Sequence, residues 1–262
     1  MYRTRRGLNF VTFCLTLVLS LLVGSWPITT SAQRSITPPV EGKPQGTLPG
    51  GPRFRPQEPV GAPSEPSRIG QKKSPEQTCQ SGEKPLTALM PANNLGLTVA
   101  AYPQFLFYVP RTSATEAEFV LTDENGNEVY ITQFRITGEP GVISLSLPSL
   151  ANFAPLEIGK DYRWYFSVTC NRPNSQGNLY LAAEGVVRRI EVSRTLAPQL
   201  EKATPRDRVI LYAEDGIWYD AVTTLAELHR ANPDDPRLTS DWITLLDSVG
   251  LAEFAEEPLV TP

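Results

Sequence analysis

The hydrophobic period of this chain changes once, near residue 193, and that change limits the folds open to it. Between Cys79 and Val192, short runs rich in Val, Ile, Phe, Tyr and Thr alternate with turn residues. Period-two patterning of this kind predicts half-buried strands. It is clearest at Tyr162–Cys170, where Tyr162, Trp164, Phe166, Val168 and Cys170 share one face and Arg163, Ser167 and Thr169 the other. Leu145 and Leu147 alternate with Ser144 and Ser146 in the same way. Strands are predicted at 86–90, 95–100, 104–109, 116–123, 127–136, 141–147, 161–170 and 178–192. Asn125-Gly126 predicts a type I′ hairpin turn, which needs positive φ at both residues. That many short strands in about 110 residues predicts an immunoglobulin-like or fibronectin-like β-sandwich.

Beyond residue 193 the apolar spacing becomes helical. Val209, Tyr212, Ala213 and Gly216 fit it, as do Trp218, Ala221, Leu225 and Leu228, then Trp242, Leu245, Leu246 and Val249. Pro198, Pro205, Pro233 and Pro236 fall near helix starts or between helices, where proline is tolerated. Three or four helices are expected in an acidic region over 193–255, ahead of a tail at 256–262. The fold class is therefore α+β: a sandwich at 79–192 followed by a small helical region.

Upstream of both, the first thirty-two residues read as a secretory signal. Arg3, Arg5 and Arg6 precede an apolar run from Leu8 to Val23, and Thr30-Ser31-Ala32 offers a small-x-small cleavage site. The run of about sixteen residues is short of the roughly twenty that span a bilayer. Cleavage would leave a chain with no stable membrane insertion, secreted or periplasmic, and would move the net charge from −4 to −7. Residues 33–78 hold ten of the twenty-five prolines and six glycines, with almost no aromatics. Such a segment cannot bury enough surface to offset its ordering entropy, so it is expected to be a disordered tether.

Cys14 leaves with the signal, and in an oxidising compartment Cys79 and Cys170 are expected to pair. Chain-entropy arguments give such a long loop closure about 4–5 kcal/mol. No HExxH, GxSxG, P-loop or GxGxxG pattern is present, and His229 is the one histidine. The sequence therefore offers no catalytic residue, metal ligand set or cofactor site. The negative charge argues against nucleic acid as a partner. Trp164, Trp218, Tyr219 and Trp242 read as core, which leaves Tyr165 and Tyr180 as candidates for exposed aromatic contact.

Two resemblances complete the reading. Tyr212 and Gly216 at the end of one helix, Ala221 and Leu225 in the next and Pro233 after it resemble a single tetratricopeptide-type unit. Such units stack in threes or more, so a lone one must dock on the sandwich or on another protein. Tyr212, Gly216, Trp218, Tyr219 and Ala221 are accordingly candidates for a protein-contact hairpin. Further blocks are Pro85–Leu89, Asn94–Thr98, Tyr102–Pro110, Ala117–Leu121 with Gly126, Gly159–Trp164 and Leu211–Ala221. Together they resemble the secreted, mainly cyanobacterial family known as domain of unknown function 928. The resemblance covers roughly 80–260; it implies export and the β-then-α layout, and brings no activity or cofactor. The expected role is a non-enzymatic exported module that contacts an envelope or secreted protein. A polysaccharide-binding sandwich is the alternative, and a cryptic hydrolase a more remote one.

Overall fold

The computed structural model describes residues 51–56, 79–149, 153–170 and 179–260. All of these belong to one compact unit, Pro44–Pro262. The signal region and most of the expected tether lie outside the described residues. Among those described, no helix is long and apolar enough to cross a membrane.

The strands are β1 (Gln80–Ser81), β2 (Thr87–Ala88), β3 (Leu95–Thr98), β4 (Gln104–Val109), β5 (Arg111–Thr112) and β6 (Glu116–Thr122). They continue with β7 (Glu128–Arg135), β8 (Gly141–Ser146), β9 (Asp161–Cys170) and β10 (Leu179–Arg189). Four helices follow: α1 (Ala197–Lys202), α2 (Pro205–Glu214), α3 (Trp218–Ala231) and α4 (Pro236–Asp247). The chain closes with β11 (Leu259–Val260). One sheet has the order β3-β10-β9-β6-β7 and a second the order β11-β8-β4-β2, while β1 and β5 form a small ribbon. β3 runs parallel to β10 and β11 parallel to β8; the other pairs are antiparallel.

The two larger sheets share a core of aromatic rings. Phe107 of β4 stacks on Phe166 of β9 with ring centres 4.2 Å apart. Phe105 meets Phe119 of β6 at 5.1 Å and Trp164 of β9 at 6.0 Å. Period-two alternation produces this directly, because successive side chains of an extended strand point to opposite faces. β9 alternates buried and exposed along its length as its sequence predicts. β4 is different: Phe105 through Val109 are buried on both faces. Tyr108, on the side away from Phe107, meets Phe254 of a short 3₁₀ turn (Ala252–Phe254) at 5.0 Å.

The helices complete the core. Tyr219, in the first turn of α3, lies edge-on to Phe105 at 5.0 Å. Its hydroxyl accepts from Trp164 Nε1 at 2.8 Å and donates to the Val186 carbonyl at 3.5 Å. Burial pushes its phenol well above the usual tyrosine value, with the Trp164 hydrogen bond working against that rise. Trp218 Nε1 donates to the Leu89 carbonyl at 2.8 Å. Gly96 of β3 faces Tyr219 so closely that a Cβ there would lie 2.3 Å from a ring carbon. The turn between α2 and α3 needs Gly216, whose φ is +71°. Ile217 N reaches back to Tyr212 O at 2.8 Å, closing α2 in a left-handed cap.

Three expectations are corrected. The β6–β7 turn is not type I′, since Gly126 has φ +81° but Asn125 does not have positive φ. Gly126 N instead donates to Asp123 O, and Asp123 Oδ1 accepts from the Asn125 and Asn127 amides. The aspartate side chain organises a longer loop with one left-handed glycine. The tail expected at 256–262 contains β11, which pairs with β8. It can approach because Gly141 has no side chain: a Cβ there would sit 2.9 Å from Pro258 O.

Residues 33–78 also depart from a free tether. Within that expected tether, Gly51–Pro56 is seated on the helices. Phe54 is buried edge-on against Trp218 at 5.0 Å. Arg55 N donates to Ala213 O at 3.0 Å and Phe54 N to Ser248 Oγ at 3.2 Å. Phe54 is the lone aromatic of 33–78 and the anchor of the described Gly51–Pro56 piece. Burying it is worth about 2–3 kcal/mol, and the two hydrogen bonds about 1 kcal/mol each. Fixing four non-proline backbones costs on the order of 4–8 kcal/mol. The seat is therefore close to balance.

Candidate functional site

Among the described residues, exposed apolar and aromatic side chains gather on the outer face of the five-stranded sheet. Strand register places Glu184, Tyr165, Val120 and Ile131 in one row across β10, β9, β6 and β7. The next row is Ala182, Ser167, Glu118 and Gln133, and Tyr180 stands opposite Thr169 beyond it. On the other side of the tyrosine row come Val186, Arg163 and Thr122. Ile131 is 53% exposed, Tyr180 59%, Tyr165 39% and Val129 38%. The other large apolar side chains exposed among the described residues, Ile158 and Ile243, lie off this face. Four of the six share one sheet face, and grouped exposed apolar side chains mark contact surfaces where scattered single ones do not.

Polar groups frame the apolar row. Gln133 Nε2 donates to Glu118 Oε2 at 2.7 Å. Arg188 makes a two-pronged ion pair with Asp161, at 2.5 and 2.7 Å, which raises the guanidinium's already high pKa. Beside Tyr165 opens a shallow polar depression of about 550 Å³, lined by the Asp123–Gly126 loop, Thr122, Asp161, Arg163 and Val186. Asp123 is committed to its own turn: hydrogen bonds from Asn127 and Asn125 hold its carboxyl below the usual carboxylate range. The arrangement offers a flat mixed surface, suited to an extended partner more than to enclosure of a small molecule. Among the described residues, no group of three or more His, Cys, Asp or Glu is placed to hold a metal ion.

Cys79 and Cys170 form a disulfide, with their Cα atoms 5.6 Å apart. It ties the start of β1 to the end of β9, and the Thr112 hydroxyl donates to Cys79 O at 2.6 Å beside it. The hairpin residues behave otherwise than as a partner surface. Trp218, Tyr219 and Ala221 are fully enclosed, Gly216 makes the turn, and Tyr212 is half-buried. The contact these residues make is with the rest of the chain, because the apolar side chains that would grip a partner are needed to close the core. Tyr165 and Tyr180 do emerge on one face. Val129 and Ile131 emerge with them, and their sequence signal is a strand with Tyr130 and Phe134 on one side and Val129 and Ile131 on the other, which gives it two apolar faces.

The fold and surface define an α+β protein in which two facing sheets are closed by helices and one sheet face is left open. A family model, Domain of Unknown Function (DUF928), matches residues 67–259, and the chain belongs to that family. The match takes in both sheets and all four helices. No curated protein matches the chain.

Proposed function

We propose that the protein is an exported, non-enzymatic interaction module whose outer five-stranded sheet face docks a protein of the envelope or exterior. The observation that carries this is the gathering of Tyr165, Ile131, Val129 and Tyr180 on that face. Large apolar and aromatic side chains ringed by polar ones are the usual anchors of protein interfaces. The signal-like N-terminus and the Cys79–Cys170 bridge support an oxidising, secreted or periplasmic setting, in keeping with a secreted cyanobacterial family. The strand order supports an immunoglobulin-like reading of the sandwich, with β2, β4 and β8 facing β10, β9, β6 and β7. The small residues at the α2–α3 crossing support the tetratricopeptide-like one.

The test is crosslinking and pull-down of tagged, exported protein from its native envelope, beside Ile131→Asp. The variant should still fold, at a cost of about 1–1.5 kcal/mol, since aspartate is a poor strand former and the half-exposed site buries part of the isoleucine. Recovery of a discrete protein by the parent and not by the variant is expected. Equal recovery by both would move the interface elsewhere. A second reading, polysaccharide binding, draws on the two tyrosines. Tyr165 and Thr169, the partner of Tyr180, are four residues apart on β9, about 13 Å along the strand. Glycan retention abolished by Tyr165→Ala with Tyr180→Ala, and indifferent to Ile131→Asp, would favour that reading.

A further inference from the structure

Gly51–Pro56 occupies a seat that three helices build together. Its Phe54 ring meets Trp218 at the start of α3. Its backbone is held by Ala213 O near the end of α2 and by Ser248 Oγ at the C-cap of α4. Gly51 passes close to Thr244 of α4: a Cβ would lie 3.2 Å from Oγ1, tight enough that the threonine would have to shift. Ser248 is already engaged, donating to Leu245 O at 2.6 Å while it accepts from Phe54 N.

The charge around this seat is matched to its occupant. The C-terminal ends of α2 and α4, where the helix dipole is negative, converge on it. Glu214 and Asp215 follow Ala213, and Asp247 precedes Ser248. The segment that lies there carries Arg53 and Arg55 on either side of Phe54. Pro52 and Pro56 pre-set the backbone at both ends and reduce what is lost on docking. An extended chain, one aromatic anchor, a main-chain hydrogen bond and flanking cations together are how grooves read peptides.

We propose that the α2–α3–α4 seat is a peptide-docking site for an extended segment with one phenylalanine between arginines, and that Gly51–Pro56 is its exchangeable cis occupant. A partner protein presenting such a segment binds by displacing it. The seat is apart from the outer sheet face, so Ile131→Asp leaves this site intact and the two proposals fail independently. Docking in trans is limited by cis competition, which makes the site self-restrained.

The probe is a fluorescent peptide of sequence Gly-Gly-Pro-Arg-Phe-Arg-Pro-Gln, spanning residues 50–57, titrated by anisotropy into the full chain. Phe54→Ala empties the aromatic pocket in cis and should bind the peptide at least tenfold more tightly than the parent. The same peptide with alanine for phenylalanine should not bind. A folded Phe54→Ala chain, with native circular dichroism and an intact disulfide, that ignores the peptide would overturn the proposal. The unaltered protein gives a second reading by hydrogen exchange. The Arg55 amide, bonded to Ala213 O, should exchange at least a hundredfold faster than the β9 core amide of Phe166. Equal protection would make the segment a permanent part of the fold and sink the exchange.

Discussion

The two sheets and the helices that close them are held by different kinds of interaction. In the sheets, a repeating backbone ladder sets the register, and the side chains follow from it: β9 matches β10 over ten successive pairs. The helices have no such ladder to the sheets. They are fastened by individual side chains at long sequence separation: Trp218 to Leu89, Tyr219 to Trp164, and Asp220 to Thr98 at 2.7 Å and Val99 N at 3.1 Å. Within the helical layer, Arg206 grips the buried Asp241 with two hydrogen bonds, at 2.6 and 2.9 Å. A ladder tolerates the loss of one rung, whereas a point fastening does not. Sensitivity to single substitutions should therefore concentrate where helix meets sheet.

Trp218→Ala should show the largest effect. It removes a fully enclosed indole, leaves the Leu89 carbonyl without its donor and strips Phe54 of its ring partner. A loss of about 3–5 kcal/mol is expected in denaturant unfolding. The parent should melt in one transition by both near-ultraviolet and far-ultraviolet signals. Separate melting of helices and sheets would break the comparison, since it would mean that the fastenings are dispensable.

Replacing Cys79 and Cys170 together by serine tests the sheet side. The bridge closes a loop of sequence separation 91. Its loss should lower stability by about 2–5 kcal/mol, felt at the β1–β5 ribbon and the end of β9 and leaving the Trp218 environment unchanged by fluorescence. Gly96→Ala comes next. The added methyl meets the Tyr219 ring, so about 1–3 kcal/mol should be lost. A cost near zero would show that the contact between β3 and α3 is loose.

Asp220→Asn should have the smallest effect. Burial raises the Asp220 pKa above its ordinary value of 3.8, with the Thr98 and Val99 hydrogen bonds opposing the rise. The native state therefore keeps a proton that the unfolded chain has released. That contribution to stability is present below about 3.8 and is lost as pH rises through the higher native value. Asparagine still accepts from Thr98 and Val99 and carries no charge, so its unfolding free energy should fall less across that window. An unchanged pH slope would mean that Asp220 is better solvated than its contacts suggest.

Strand positions were legible because alternation is local. Predicted spans 104–109 and 161–170 coincide with β4 and β9. The helical period after residue 193 likewise announced α2, α3 and α4. The disulfide was legible from counting alone, with two cysteines left in a chain read as exported. The exposure of Tyr165 and Tyr180 was legible because alternation puts each on the face opposite the apolar one of its strand. The parallel β3–β10 pairing was not legible: a short apolar run states that it is a strand, not which neighbour it will meet. Nor was the partnership of Trp218 and Tyr219 with the sheets, since an apolar helix face fits a foreign surface as well as its own chain.

The amino-acid order by itself determined the main strands and the switch to helices, which faces are apolar and which thiols are left to pair. Each of these depends on neighbours within a few residues and on the two side-chain periods of the backbone. The tertiary structure alone decided that the helices close the core between the two sheets, that β11 covers an edge beside Gly141, and that Phe54 finds Trp218. Those are meetings between positions tens to more than a hundred residues apart. They are selected by shape, by hydrogen bonds that must be satisfied in a dry core, and by the room that Gly96 and Gly141 leave.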